Sequence, residues 1–188
     1  MRALATTPPH TLSGFTGAPD TMRAMVRAVQ GPRGEQSVLV RRMTEDVVRE
    51  IYPKDYLGEI IAIRQWVATN LRYANDPVHV EYIGDPQRLA EDIQAHGKAV
   101  GDCDDIASLI ACMALQVGRV AEFVCVGFGA PHEYSHVWTR VLESKSGKWV
   151  CCDPVAGLTE REMLGRVASF ECWSLDERPE HGPVEVFP

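Results

Sequence analysis

A cysteine at a predicted helix start is the feature of this sequence best suited to chemistry. Cys103 lies in the run Gly101-Asp102-Cys103-Asp104-Asp105, where a loop leads into the most apolar helix that the sequence predicts. A cysteine in the first turn of a helix lies near the positive end of the helix dipole and near unpaired backbone N–H groups. Both stabilise the thiolate, which is the nucleophilic form, and the N–H groups can bind a developing oxyanion. Cys103 is therefore the candidate nucleophile, with its own backbone N–H as the candidate oxyanion donor.

Three aspartates around this cysteine oppose the effect of the helix start. Asp102, Asp104 and Asp105 suit the helix dipole, but their negative charges would raise the pKa of the thiol. A strong nucleophile at Cys103 therefore needs a cationic partner, and His136 is the natural candidate. The three aspartates also resemble part of a calcium loop, but no glycine and distal glutamate follow at EF-hand spacing. A solvated helix start is the preferred interpretation of the trio.

A predicted hairpin brings His136 close to an aspartate. The predicted strands 135–142 and 148–152 flank a polar turn. If His136 pairs directly with Asp153, residues 143–146 form a four-residue loop and the two side chains are neighbours on one face. A slip of one residue would place them on opposite faces. An aspartate beside the imidazole fixes its tautomer and stabilises the imidazolium form.

Each of these three residues also has an ordinary structural interpretation. A free cysteine is commonly buried as a small apolar residue, and a lone histidine is more often structural than catalytic. An aspartate before a proline, as in Asp153-Pro154, commonly ends a strand at a turn. The three residues together, in the order Cys103, His136, Asp153, favour a catalytic triad.

Helical periodicity precedes strand-like alternation along the chain. Helices followed by an antiparallel sheet predict the α+β class, with the N-terminal helices packed on the sheet. The predicted helices span residues 21–30, 37–51, 56–73, 86–95 and 102–117, and the predicted strands span residues 121–128, 135–142 and 148–152.

The order of these motifs resembles the transglutaminase-like superfamily, which shares the papain-like core. The resemblance covers roughly residues 59–154. In this superfamily a cysteine at a helix N-terminus meets a histidine and an aspartate from adjacent strands. The resemblance implies Cys103 as nucleophile, His136 as base and Asp153 as orienting residue. It rests on Gly101–Asp105, on Val117–Ala121, on His136-Val137-Trp138 and on Trp149–Pro154.

The resemblance also implies an activity. A cysteine-dependent acyl transfer on amide bonds, through a thioester, would be resolved by water or by an amine. Hydrolysis is favoured over crosslinking, because small bacterial members resemble peptidases more often. The segment 60–77 is similar to the part of small bacterial and phage members that precedes the cysteine. A protein or peptide is the expected substrate, no cofactor or metal is implied, and Trp138 and Trp149 are expected to pack around the triad.

Composition narrows the range of partners. The chain has 188 residues, is 45% hydrophobic and carries a formal net charge of −7. Such an acidic chain is poorly suited to nucleic acid or to an anionic membrane. No signal peptide is recognisable, and the apolar stretch 107–117 is too short to span a bilayer. A cytoplasmic protein is expected, with packaging into a virus particle left open, and free thiols are expected for the six cysteines.

The length favours a single folded domain. The sequence predicts a flexible leader over residues 1–20, one domain over 21–176 with its core at about 59–154, and a tail over 177–188. The oligomeric state is left open.

Two other functions are compatible with the sequence. Cys103, Cys151, Cys152 and His136 could form a metal site, but Cys151 and Cys152 are adjacent on a predicted strand and would point to opposite faces. The domain could also keep the fold and serve as a binding or assembly module, for example in a phage particle, because fold does not fix function.

Overall fold

A computed structural model describes residues 10–13, 18–76, 80–129 and 134–176. Six helices and eight strands lie within these ranges, and no helix within them is long and apolar enough to cross a membrane. The helices are α1 (Ala18–Gln30), α2 (Val38–Val48), α3 (Tyr56–Asn70), α4 (Pro86–His96), α5 (Cys103–Gln116) and α6 (Glu160–Leu164). The strands are β1 (His10–Ser13), β2 (Leu71–Tyr73), β3 (Val80–Ile83), β4 (Ala99–Gly101), β5 (Ala121–Gly127), β6 (His136–Glu143), β7 (Lys148–Cys151) and β8 (Ser169–Ser174).

An antiparallel sheet in the order β7-β6-β5-β8 forms one layer of the fold. Helix α5 packs against it and is buried along most of its length, from Asp104 to Ala114. The sheet alternates as expected for a two-sided layer: Phe123 and Val137 belong to the main core with α5, whereas Val124 and Trp138 belong to a second core on the other face. The predicted α+β class, with N-terminal helices on an antiparallel sheet, is confirmed.

The hairpin of β6 and β7 has a different register from the predicted one. Val141 pairs with Val150 and Glu143 with Lys148, so the ladder is displaced by two residues from the direct pairing of His136 with Asp153. The loop is therefore 144–147. Gly147 adopts a φ of +66°, a conformation that favours glycine, and the Glu143 carboxylate accepts hydrogen bonds from the Lys145 and Ser146 N–H groups. A displacement of two residues keeps every side chain on its predicted face.

The end of α3 also differs from the prediction. The sequence predicts helix through Tyr73, but the helix ends at Asn70, whose side-chain amide donates to the Trp66 carbonyl. Residues 71–73 instead form β2, which pairs in parallel with β4. Tyr73 is thereby paired with Gly101, two residues before Cys103.

Elements near both termini extend the fold beyond the predicted pattern. Within the predicted leader, strand β1 pairs antiparallel with β3, and α1 begins at Ala18. After residue 154, where no element was predicted, α6 forms and β8 pairs with β5 to complete the sheet. The predicted tail lies outside the described residues, and the proposed domain limits stay a prediction.

Candidate active site

His136 and Asp153 form a hydrogen-bonded pair at one end of the sheet. The His136 Nε2 and Asp153 Oδ2 atoms lie 2.6 Å apart, and the two side chains are 12% and 2% exposed. Because the ladder ends at the Arg140–Cys151 pair, Asp153 lies just beyond β7 and reaches His136 diagonally across the hairpin. The predicted contact between the His136 and Asp153 side chains is therefore present, although the predicted strand register is wrong. With Nε2 held by the carboxylate, Nδ1 is the nitrogen left for a second partner.

Backbone N–H groups, as well as His136, favour the carboxylate form of Asp153. Burial alone would raise its pKa, but hydrogen bonds from His136 and from the Val155 and Ala156 N–H groups outweigh burial and lower the pKa. The Arg64 guanidinium on α3 donates to the Asp153 backbone carbonyl at 3.0 Å. Arg64 was not predicted as a site residue, because it is 89 positions away from Asp153 in the sequence.

Cys103 begins α5 at the same end of the fold. The Thr139 hydroxyl donates to the Ala107 carbonyl at 2.7 Å and fixes the helix on β6. Cys103 and His136 precede the two anchoring residues by four and three positions, about 6 Å and 10 Å along helix and strand. Both residues therefore lie close to this contact between the helix and the sheet.

Tyr73 connects the cysteine side of the site with the aspartate side. Its pKa is raised by burial and by the negative charges of Cys103, Asp102, Asp104 and Asp153. The phenol thus lies close enough to both Cys103 and Asp153 to sense their charges. Pairing of Tyr73 with Gly101 explains this position.

The aspartates that flank Cys103 are not a solvated helix start, and that prediction was wrong. Asp104 is 2% exposed and Asp105 is 7% exposed. Asp105 Oδ1 accepts a hydrogen bond from the Gly84 N–H at 2.9 Å, and a Cβ atom added to Gly101 would lie 2.3 Å from Asp105 Oδ2. Burial, reinforced by the charge of Asp102, raises the pKa of Asp105 to about 7. Gly84 and Gly101 have no side chains, and this leaves room for the carboxyl.

One oxygen atom from each of Asp102, Asp104 and Asp105 lies within 4.8 Å of the other two. Carboxylate oxygens are ligands for hard cations such as Mg²⁺ and Ca²⁺. However, the Gly84 N–H already occupies Asp105 Oδ1, and the raised pKa favours a protonated Asp105 below about pH 7. Hydrogen bonds from the Gly84 and Asp105 N–H groups hold Asp105 and Asp104, two of the three residues, in place.

Burial disfavours the thiolate form of the other five cysteines. None of the six cysteines forms a disulfide, and burial raises the pKa of Cys151 and Cys172 to about 11 and of Cys125 and Cys152 to about 12. Burial also raises the pKa of Cys112. Cys151 and Cys152 belong to the cores on opposite faces of the sheet, as expected for adjacent strand residues, which argues against the predicted alternative of a shared metal site.

Of the two tryptophans expected around the triad, Trp138 lies near His136 and Trp149 does not. The Trp138 side chain is buried, and its ring lies 5.9 Å from the His136 ring. Trp149 pairs with Leu142 near the hairpin loop, where the Arg140 guanidinium lies over its ring. The expectation holds for Trp138 and is wrong for Trp149.

Comparison with known proteins establishes the family. The profile of the Transglutaminase-like superfamily matches residues 42–154, more than half of the chain. The chain therefore belongs to the transglutaminase-like superfamily, as the sequence motifs indicate. No curated protein sequence matches it.

The chain is similar to two solved structures. One is a candidate protease from Parabacteroides distasonis, with a TM-score of 0.58 and 12% identity over 87% of this chain and 30% of that one. The other is a candidate cysteine protease from Cytophaga hutchinsonii, with a TM-score of 0.47 and 16% identity over 94% of this chain and 66% of that one. This chain thus spans about a third of the first protein and about two thirds of the second. At this identity the first similarity shows the fold.

Proposed function

We propose that this protein is a cysteine-dependent enzyme that transfers the acyl group of an amide, with Cys103 as nucleophile, His136 as general base and acid, and Asp153 as orienting residue. The observation that carries this proposal is the 2.6 Å hydrogen bond between His136 and the buried Asp153 carboxylate. It supports a fixed tautomer in which Nδ1 serves the thiol of Cys103. Membership of the transglutaminase-like superfamily supports the same assignment.

The proposed reaction has two stages. The Cys103 sulfur attacks the amide carbonyl carbon, and the thiol proton passes through His136 to the leaving nitrogen as the C–N bond breaks. Water then attacks the thioester, His136 takes a proton from it, and the C–S bond breaks to return the thiol and release a carboxylic acid. The backbone N–H of Cys103 is the proposed donor to the oxyanion in both stages. An amine in place of water would give a new amide.

We favour hydrolysis of a peptide or protein amide over amine transfer. The similarity of small members of this superfamily to peptidases supports this choice. The acidic net charge of −7 supports a protein or peptide partner rather than nucleic acid or an anionic membrane. The proposed chemistry uses side chains and backbone groups of this chain alone.

The first test is the pH dependence of Cys103 alkylation by iodoacetamide. Peptide mapping by mass spectrometry would measure the rate at each cysteine between pH 5 and pH 9, in the parent, in His136→Ala and in the control His96→Ala. His96 is an exposed histidine at the end of α4. The five other cysteines have raised pKa values and serve as slow internal references.

A thiolate paired with imidazolium gives fast alkylation of Cys103 below about pH 7. We expect that reactivity in the parent and in His96→Ala, and its loss in His136→Ala. If Cys103 instead titrates like an ordinary thiol near pH 8.5 in all three proteins, the catalytic assignment is wrong and a binding or assembly module becomes the better interpretation.

A further inference from the structure

A pocket of about 380 Å³ lies beside the first turn of α5. Its volume is near the lower end of the range of about 300–1,000 Å³ that is typical of small-ligand pockets. It is therefore large enough for a side chain and too small for a large cofactor. The lining residues are uncharged and mostly apolar: Ala68, Leu71, Tyr73, Ile106, Pro154 and Val155.

The pocket adjoins both sides of the proposed triad. Ile106 follows Cys103 by three positions in α5, so the two side chains lie on the same side of the helix, one turn apart. Pro154 directly follows Asp153, the partner of His136. Tyr73 reaches the same place from β2, and its pKa responds to the charges of both Cys103 and Asp153. An amide held at the Cys103 sulfur would therefore lie at the edge of this pocket.

The floor and the rim of the pocket differ in exposure. Leu71 and Ile106 are 5% exposed and form an apolar floor. Tyr73 and Val155 are 43% and 36% exposed, although both are apolar or aromatic and line a concave surface. Large apolar groups that remain accessible around a pocket are typical of ligand-binding sites.

The charges around the pocket further restrict its ligand. A charged side chain would lose hydration against Leu71 and Ile106 without gaining a partner there. Asp102 and Asp104, which act on the Tyr73 phenol, would in addition repel an acidic side chain. An uncharged apolar side chain meets neither cost.

We propose that this pocket is a specificity subsite, and that the substrate is a peptide with an apolar side chain on the residue next to the amide that Cys103 attacks. The inference rests on the proposed function, since it assigns the substrate class of the same site. Burial of a leucine or phenylalanine side chain against Leu71 and Ile106 supplies the binding energy, and Tyr73 and Val155 form the walls.

Peptidyl chloromethyl ketones test this subsite without knowledge of the natural substrate. The Cys103 sulfur displaces chloride and forms a stable thioether, so intact-mass spectrometry gives the rate constant. The probes would carry leucine, phenylalanine, glycine, lysine or aspartate next to the ketone. The variant Ala68→Phe places a larger side chain in the pocket, and Gln65→Phe adds the same side chain at an exposed position of α3 outside it. Alkylation by iodoacetamide is measured in every variant as a reference for thiol reactivity.

In the parent, we expect the leucine and phenylalanine probes to react at least about tenfold faster than the glycine, lysine and aspartate probes. Ala68→Phe should bring the ratio of the leucine rate to the glycine rate, each taken relative to iodoacetamide, close to one, and Gln65→Phe should retain the ratio of the parent. A parent that reacts fast with iodoacetamide but shows no apolar preference, or an Ala68→Phe variant that keeps the preference, overturns the subsite and leaves the proposed function standing. A Cys103 that reacts as an ordinary thiol overturns the proposed function and the subsite with it.

Discussion

Asp153 and Asp105 are two buried aspartates of the same site, and their pKa values are shifted in opposite directions. They are 3% and 7% exposed, so burial acts on both and favours the neutral form of each. Asp153 accepts hydrogen bonds from His136 and from two backbone N–H groups, and these lower its pKa. Asp105 accepts one from the Gly84 N–H and lies near the charge of Asp102, so its pKa is raised to about 7.

The two opposite pKa shifts have different effects on the charge of the site. On the sheet side, hydrogen bonds hold a carboxylate that can stabilise an imidazolium. On the helix side, a buried carboxyl that favours its neutral form adds less negative charge near Cys103 than three ionised aspartates would. The difficulty that the sequence poses, a thiol among three aspartates, is thereby reduced by burial of Asp105.

The largest expected effect comes from Asp153→Asn. The amide keeps the shape of the carboxylate but cannot stabilise an imidazolium and allows the wrong histidine tautomer. We expect hydrolysis of a peptide p-nitroanilide with an apolar residue next to the amide to fall on the order of 10³- to 10⁴-fold. The kcat of the parent, of Asp153→Asn and of the exposed control Asp176→Asn would be compared at pH 7. Activity within tenfold of the parent in a folded Asp153→Asn would remove Asp153 from the mechanism.

The second effect is on the pH dependence of stability. In the unfolded chain both aspartates titrate near pH 3.9. Asp153, with a lowered folded pKa, stabilises the fold above that pH, and its contribution is lost as the pH falls through the folded value. Asp105 acts oppositely: its folded pKa of about 7 makes stability fall as the pH rises from about 4 to about 7.

Asp105→Asn should therefore separate the contribution of Asp105 to the pH dependence of stability from that of Asp153. The amide resembles the protonated carboxyl and can accept from the Gly84 N–H. Relative to the parent, we expect little change near pH 4.5 and a stabilisation of about 2–4 kcal/mol at pH 8, since each pKa unit corresponds to about 1.4 kcal/mol. Urea unfolding at four pH values would measure the free energy of unfolding. Parallel pH curves for parent and variant would show that Asp105 is not held neutral by the fold.

The sequence predicted the parts of this site that depend on local patterns. Helical periodicity located the start of α5 within one residue, and alternation located β5, β6 and β7. The predicted register was wrong by two residues. Because side chains in a strand alternate with a period of two, His136 and Asp153 still lie on the same face, as predicted. Gly147 is the residue that indicates the correct register, since a glycine suits the left-handed position at the end of a hairpin loop.

Contacts between distant segments were not predictable in this way. Strand β2 leaves the helical pattern because it pairs with β4, about 28 residues later, and no local signal encodes that partner. The buried position of Asp105 depends on Gly84, which lies 21 positions earlier. The hydrogen bond from Arg64 to the Asp153 carbonyl joins residues that are 89 positions apart. One missed element did carry a local signal: Thr159 and Glu162 form a capping box at the start of α6.

The smallest expected effect tests the space around Asp105. A Cβ atom added at Gly84 would lie 2.5 Å from Asp105 Oδ1, and the carboxyl cannot move away freely because Gly101 closes its other side. Gly84→Ala should therefore cost about 1–3 kcal/mol of unfolding free energy.

In an Asp105→Ala background the clashing oxygen is absent, and the cost of Gly84→Ala should fall below about 0.5 kcal/mol. Urea unfolding of the parent, the two single variants and the double variant at pH 5 completes the cycle, at a pH where the carboxyl of the parent is largely neutral. A cost of Gly84→Ala that is equal in both backgrounds would mean that the alanine strains the backbone rather than the carboxyl. The tight contact would then not be what holds Asp105 in place, and the neutral carboxyl would depend on burial alone.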